Sequence, residues 1–421
     1  MENEKNLISD VKMSRTKLGE ELMPKSVDRS TTGEPMTLSF GPQHPATHGT
    51  LRVVLELDGE TVLKATPHLG YLHTGFEKLG EHLDYNQYIV VTDRMNYLSP
   101  LSNNFGYALA VEKLFGMELP ERGRYVRVIM AELSRIADHL IWLGTSALDL
   151  GAFSVFLYGF QQREKLYKIF ENTTGARLTT SYTRVGGLLR DLYPGFENEV
   201  RSFIRDFPKK LKEIHTLLTK NRIWMDRTKD VGQISSEDAI NYSYTGPCLR
   251  ATGVDRDLRK IEPYSSYDEF DFDVPVGSNG DAYDRYLVRM EEMVQSCRIV
   301  VQALDNLPDG PINVESHKIS LPSKQDAYGH IEGLIHHFKI IMDGHGIQPP
   351  VGEVYCATES PNGELGFYIV SDGSGTAYRV RVRPPSFFHF QAFDHLIRGG
   401  MLSDMVAVLG SLNVIAGELD R

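Results

Sequence analysis

The stretch GPQHPATHGT, residues 41–50, sets His44 and His48 four residues apart. On a helix both imidazoles would share a face, as a pair of metal ligands does. Here Pro42 and Pro45 each fix φ and remove a backbone donor, and Gly41 and Gly49 bracket the run, so the segment reads as a turn. A loop histidine by itself usually bonds nearby backbone. Three further stretches add weight to a site. PHLGYLHTGFEK, residues 67–78, contributes His68, His73 and Glu77. DRMNYLSP, residues 93–100, places Arg94 three before Tyr97. Asp149 is the single charge of an apolar run, residues 140–160. Polar groups carried on apolar elements in this way are the make-up of a ligand site.

Other candidates read more plainly. His336-His337, on an apolar helix, reads as packing, and the arginine strip YRVRVR, residues 378–383, as a solvated or interfacial strand face. DGSGTA, residues 372–377, lies between two strand patterns and reads as a hairpin turn. Neither G-x-G-x-x-G nor G-x-x-x-x-G-K occurs, so the sequence predicts no NAD or ATP site of the usual kinds. No E-x-x-H pair exists, which disfavours a di-iron carboxylate bundle.

The elements that must position these groups follow from periodicity. Leu51, Val53, Leu55 and Leu57 alternate before an Asp58-Gly59 turn, which predicts a β-hairpin fed by the two-histidine loop. Val126, Ile129, Met130, Leu133, Ile136 and Leu140 recur at helical spacing. Val200 to Leu218 predicts a helix over about 195–220, kinked at Pro208. Two more are predicted over about 281–307 and 325–343. Gly144 and Gly151 interrupt the 140–160 run, and a lone charge in a membrane span costs about 2.5–3.5 kcal/mol. That run is therefore expected to be a core helix, a turn and a second helix. GFYIVSDGSGTAYRVRVR, residues 366–383, predicts two strands around a Gly-rich turn. The fold class is α+β: a β-hairpin region over 35–75, mainly helix over 76–345, and a mixed part with hairpin and helix over 346–421. Residues 1–34 are polar and aperiodic and read as an extended arm.

The chain of 421 residues is 41% hydrophobic and 24% charged, with a formal charge of -11. That balance predicts no nucleic-acid partner and no adsorption to anionic lipid. Cys248, Cys297 and Cys356 are far apart with no C-x-x-C, so no local cysteine metal site is expected. MENEKNLISD has no apolar core of a secretion signal.

GPQHPATHG, PHLGYLHTGFEK, DRMNYLSP, YTRVGGL, VSDGSGTAYRVRVRPPSF and the terminal GELDR resemble the 49-kDa-type subunits, or D subunits, of respiratory complex I. The resemblance runs from about residue 36 to Arg421. It extends to the large subunits of nickel–iron hydrogenases, whose R-G-x-E-K element HTGFEK resembles. Asn96 and Ser99, and Ile415 and Glu418, stand where those enzymes hold metal with two cysteine pairs. The resemblance therefore implies a hydrogenase-large-subunit-like fold with an emptied metal cavity, in which quinone is reduced. His48 and Tyr97 match the residues that hold the quinone headgroup, and Asp149 matches a partner of that histidine. His44 is expected to support the loop. Arg94 matches a residue facing an iron–sulfur cluster in the neighbouring small subunit.

Imidazolium, near pKa 6.5, and phenol, near 10, are both competent proton donors to a reduced quinone. The resemblance further implies a chain without a cofactor of its own. Its partners would be the iron–sulfur small subunit, other peripheral-arm subunits and a membrane-arm subunit at the quinone tunnel. The implied setting is the cytoplasmic side of a bacterial inner membrane, in a proton-translocating NADH:quinone oxidoreductase. Two residues depart from the pattern. Thr180 stands where many relatives carry a histidine, and Asn413 where an aspartate is common. Two alternatives stand against this reading. The missing cysteines oppose a metal-dependent hydrogenase, and the retained His48, Tyr97 and Asp149 oppose a purely structural scaffold.

Overall fold

Leu51, Val53, Leu55 and Leu57 are all buried, as their alternation requires. They line the inner face of a three-stranded antiparallel sheet of β1 (Met36–Phe40), β2 (Arg52–Asp58) and β3 (Thr61–His68), ordered β1-β2-β3. The computed structural model describes residues 35–342 and 346–421, so the expected arm over 1–34 lies outside the described residues. Strand β1 is an addition to the expected hairpin, because MTLSF is a short edge strand with little buried surface.

The helical part is organised by α1 (Pro100–Phe115), α2 (Glu121–Asp149), α3 (Phe153–Thr174), α4 (Phe196–Leu218) and α5 (Ala282–Asp305). The six periodic residues from Val126 to Leu140 are all buried, because α2 is covered on several sides. The expected corner between two helices falls at Gly151, whose φ of +89° suits glycine. Gly144 does not break the run. It lies inside α2, where a Cβ would meet the Phe156 backbone at 3.3 Å. On α3, Gly159 is tighter still, with the Leu140 carbonyl oxygen 3.0 Å from a would-be Cβ. The two glycines thus serve the close approach of α2 and α3. Helix α4 runs through Pro208 in one span, with Val200, Phe203, Ile204, Phe207, Leu211, Ile214 and Leu218 buried. The helix expected over 325–343 is two pieces, Lys324–Gly329 and Ile331–Ile341, separated at the extended His330. His336 stacks on His317 with ring centroids 4.3 Å apart.

The C-terminal part adds β4 (Gly352–Ser360), β5 (Gly363–Ser371) and β6 (Arg379–Arg383), antiparallel in that order. Strands β5 and β6 are the expected pair around the Gly-rich turn, and β4 is an addition. Val380 and Val382 point into the core. The arginines flanking them are not solvated as expected. Arg379 pairs with Glu81 at 2.8 Å, and Arg383 donates to the Glu364 carbonyl at 2.6 Å. Helices α6 (Pro385–Gln391), α7 (Leu402–Leu412) and α8 (Ala416–Asp420) close the fold. The architecture is α+β. No helix among the described residues is long and apolar enough to cross a membrane.

Charges that look amphipathic in the sequence of α2 are buried against other charges. Glu132 meets Arg135 and Arg259, each at 3.1 Å, and Arg259 also holds Asp257 at 2.6 Å. Arg250 pairs with Glu359 at 2.8 Å and with Glu292, which in turn bonds His139 at 2.8 Å. Burial pushes the Glu132 carboxyl up, but Arg135 and Arg259 outweigh it and bring it down to about 2.

Replacing Gly159 with valine forces branched carbons into the Leu140 carbonyl. The expected cost is about 1–3 kcal/mol of overpacking. Thermal denaturation of the assembled protein should show a lower midpoint for Gly159→Val; an unchanged midpoint would contradict the close crossing.

Candidate active site

The turn between β1 and β2 is built from its own side chains. His44 caps a single 3-10 turn, Pro45–Thr47, its Nδ1 accepting from the Ala46 amide at 3.1 Å. Its ring lies 4.0 Å from that of Phe40. The buried Thr47 hydroxyl lies 3.0 Å from the Pro42 carbonyl and 2.9 Å from that of His44. A Cβ on Gly41 would fall 2.2 Å from the Leu51 carbonyl oxygen, so the turn closes only with glycine there. His48 follows with φ +52°, a left-handed conformation that histidine tolerates better than most residues. It stands exposed at the rim of a cavity of about 170 Å³ lined by Tyr97, Trp142, Asp149, Asn413 and Ile415 among others.

Asp149 occupies the last turn of α2 and is half-buried. The negative end of the helix dipole opposes a carboxylate there. Burial raises its pKa, and the nearby His48 and His44 oppose that rise. The residues converge on one cavity, yet among the described residues His48 and Asp149 form no direct ion pair.

Tyr97 sits on the segment between residues 93 and 99, which α1 clasps from below. Asn103 Nδ2 donates to the carbonyls of Thr92 and Asn96, both at 3.0 Å. Asn104 Nδ2 donates to Asp93 at 2.8 Å. The Asn96 side chain is used at both ends, accepting from Leu98 N and donating to Asp138 Oδ2, each at 3.1 Å. Burial raises the Tyr97 phenol above its ordinary value, and Asp138 adds to the rise. At neutral pH the hydroxyl therefore carries its proton.

The opposite wall comes from α7 and the bend before α8. Trp142 Nε1 donates to the Gly410 carbonyl at 2.6 Å, fixing α7 on α2. Asn413 caps α7 in the left-handed region at φ +53° and donates to Asp138 Oδ1 at 3.1 Å. Glu418 is fully buried and accepts from the Ser386 amide at 2.9 Å. Asn96 and Glu418 are thus each committed to hydrogen bonds within the protein. Among the described residues no group of three or more His, Cys, Asp or Glu is arranged to hold an ion.

Several residues singled out in the sequence lie elsewhere. Arg94 is exposed, donates to the Val90 carbonyl at 2.7 Å, and does not line the cavity. His73 and Glu77 face a separate hollow with Asp420 and Arg421. There His73 Nδ1 lies 2.8 Å from the Asp420 carbonyl, and Glu77 accepts from Val382 N at 3.0 Å. His68 is exposed at the end of β3, and Thr180 is buried. Trp142 and the buried Asp138 belong to the site without standing out in the sequence, whereas Asn413 stands out there as a departure from the family pattern. Asp138 looks like one of several charges on an amphipathic helix, and its burial follows from tertiary cover alone. Asn413 carried a signal, as a polar residue in the apolar stretch before GELDR.

Residues 149–421 match the family described as the 49 Kd subunit of respiratory-chain NADH dehydrogenase. The D subunit of the NADH-quinone oxidoreductase of Geotalea uraniireducens is 53% identical over 92% of this chain and 99% of its own length. The D subunit of the Methylacidiphilum infernorum enzyme is 53% identical over 95% of this chain and 96% of its own. The C/D subunit of the Bdellovibrio bacteriovorus enzyme is 53% identical over 92% of this chain and 69% of its own, longer length. With the family description matching residues 149–421 and relatives 53% identical over more than nine tenths of the chain, the chain belongs to the family of complex I 49-kDa subunits.

Proposed function

We propose that the cavity receives the headgroup of a quinone and that Tyr97 and His48 supply the protons for its two-electron reduction. The chain acts as one subunit of a multisubunit NADH:quinone oxidoreductase of the respiratory chain. The observation that carries the proposal is convergence: an imidazole, a phenol and a carboxylate from residues 48, 97 and 149 line one cavity. The walls between them mix apolar side chains such as Leu51, Ile141 and Val414 with hydroxyls such as Thr50 and Thr145, which suits a ring with two polar oxygens.

The reducing equivalents come from an iron–sulfur cluster of the neighbouring small subunit, towards which the exposed Arg94 is turned in this reading. This chain's part is to bind, orient and protonate. Tyr97 holds its proton until the quinone oxygen, gaining charge, becomes the stronger base. His48 at the rim offers the second proton, and the Asp149 carboxylate lines the same cavity. Once the imidazole is neutral, Asp149 has lost its counter-charge at an unfavourable helix end. That change is the local signal passed towards the membrane arm. The apolar Phe153, Leu157 and Tyr158 are exposed just past Asp149, which supports a contact with a membrane-arm subunit at the mouth. The longer Bdellovibrio relative, named for both C and D, supports a C-type partner as a neighbour in the peripheral arm. The complex would lie on the cytoplasmic side of the inner membrane.

Tyr97→Phe keeps the ring and removes the donor. Quinone reductase activity of the complex is expected to fall roughly 10²-fold or more. NADH oxidation by an artificial acceptor upstream should persist. Wild-type quinone turnover would refute the assignment.

Asp149→Asn preserves shape and a hydrogen bond but removes the charge. It should leave the KM for quinone nearly unchanged and lower kcat. If Asp149 acts through His48, adding His48→Ala costs much less than the sum of the single losses. Strictly additive losses in this double-mutant cycle would rule the coupling out.

A further inference from the structure

A second carboxylate of α2 lies behind the cavity, and its surroundings differ from those of the acids in the buried ion lattice. Glu112, Glu132, Asp257, Glu292 and Glu359 each meet an arginine. Asp138 is just as buried, yet among the described residues it has no ion pair. Two carboxamides hold it instead, Asn96 Nδ2 on one oxygen and Asn413 Nδ2 on the other, both at 3.1 Å. One of these residues precedes Tyr97 and the other lines the cavity.

We propose that Asp138 is a positioning residue of the quinone site, whose buried charge sets the pH range in which the cavity can hand over a proton. The inference rests on the quinone reading of that cavity. Two hydrogen bonds satisfy the carboxylate but do not neutralise it, so its field reaches its neighbours with little screening. Those neighbours are Tyr97 from the 93–99 segment, Glu418 from α8, Arg163 from α3 and His139 on α2 itself. Arg163 is engaged by the Tyr167 ring, 4.7 Å from its guanidinium. His139 is engaged by Glu292. Tyr97 and Glu418 remain to respond.

Glu418 responds in a measurable range. Burial raises its carboxyl to about 7, with the Ser386 amide and the nearby Asn362 opposing and Asp138 adding to the rise. Arg383 is the cation that feels Glu418 from the other side. Below neutrality Glu418 is therefore neutral. Above it, Glu418 ionises and a second charge appears. When Tyr97 donates, its O–H bond breaks, an O–H bond forms on the quinone oxygen and a phenolate remains. The two electrons come from the neighbouring cluster. A doubly charged surround opposes that phenolate, so turnover falls as pH rises through the Glu418 titration.

The network also admits an exchange of its charge. Asn413 Nδ2 donates to Asn362 Oδ1 as well, while Asn362 Nδ2 is buried and makes no close hydrogen bond. If the carboxylate stood at 413 and the carboxamide at 138, Asn362 could turn its amide and donate. The carboxylate at 413 would then accept from both neighbouring carboxamides, and the charge would move by one hydrogen bond.

The test is the pH profile of quinone turnover in the assembled complex, with NADH oxidation by an artificial acceptor as the measure of assembly. The wild type is expected to show a decline in kcat centred near pH 7. Asp138→Asn removes the repulsion on Glu418 and should move the decline to lower pH by about one unit, with little change in KM. The double variant Asp138→Asn/Asn413→Asp should return it towards the wild-type position. Asn413→Asp alone keeps Asp138, adds a charge and should move the decline to higher pH; it serves if Asp138→Asn does not assemble. A decline that stays in place in Asp138→Asn, or a double variant no different from it, overturns the inference. So does a flat wild-type profile from pH 6 to 8. If Tyr97→Phe abolishes turnover while these profiles do not move, the quinone site stands and the role of Asp138 falls; if Tyr97→Phe is fully active, the quinone site itself falls.

Discussion

The fold depends on the burial of charge around one helix. Helix α2 turns Glu132 and Arg135 inward, where they meet Arg259 and the backbone of Glu359. Arg250, Asp257, Glu292 and Glu359 complete the lattice from three other parts of the chain. Such ions are expensive to dehydrate, and their mutual attraction offsets the cost only in good geometry. Removing one member of a buried pair costs about 3–5 kcal/mol because its partner is left uncompensated. The lattice is therefore better understood as fixing register than as adding stability. Apolar surfaces can slide against one another, whereas a guanidinium between two carboxylates has one place to be.

That fixed register reaches the cavity. Trp142 and Ser146, about two and three turns on from Arg135, hold the Gly410 carbonyl of α7. Asp138 holds Asn96 and Asn413, and Asp149 ends the same helix at the rim. One stiff element thus carries the structural charges in its middle and the site charges towards its end. The two-histidine turn is positioned independently, by Thr47, Gly41 and the capping His44. The cavity forms where a rigid helix and a self-supporting turn come together.

Much of this is legible in the sequence. Period-2 and period-3.6 patterns are enough for the β2–β3 hairpin, for α2, α4 and α5, and for the paired strands around DGSGTA. The lone Asp149 and the Pro- and Gly-fixed histidines stand out because each breaks a local rule. Other features leave no local trace. Strand β1 buries too little, and Gly144 reads as a breaker unless Phe156 is known to lie against it. The ion lattice looks like an ordinary solvated helix face, since charge spacing alone does not say whether a face meets water or another charge. Asp138 is hidden for the same reason.

The cavity has a folding consequence. Its wall joins residues near 48, 97, 149 and 413, so it is assembled from contacts of very large sequence separation. Closing loops of that size costs chain entropy before any contact repays it, and such contacts form late. The helical hairpin of α2 and α3 and the β2–β3 hairpin are local and can form early. A partly folded chain would then contain much of its secondary structure and no enclosed cavity. His48, Tyr97 and Asp149 would line one cavity only in molecules whose entire core has condensed.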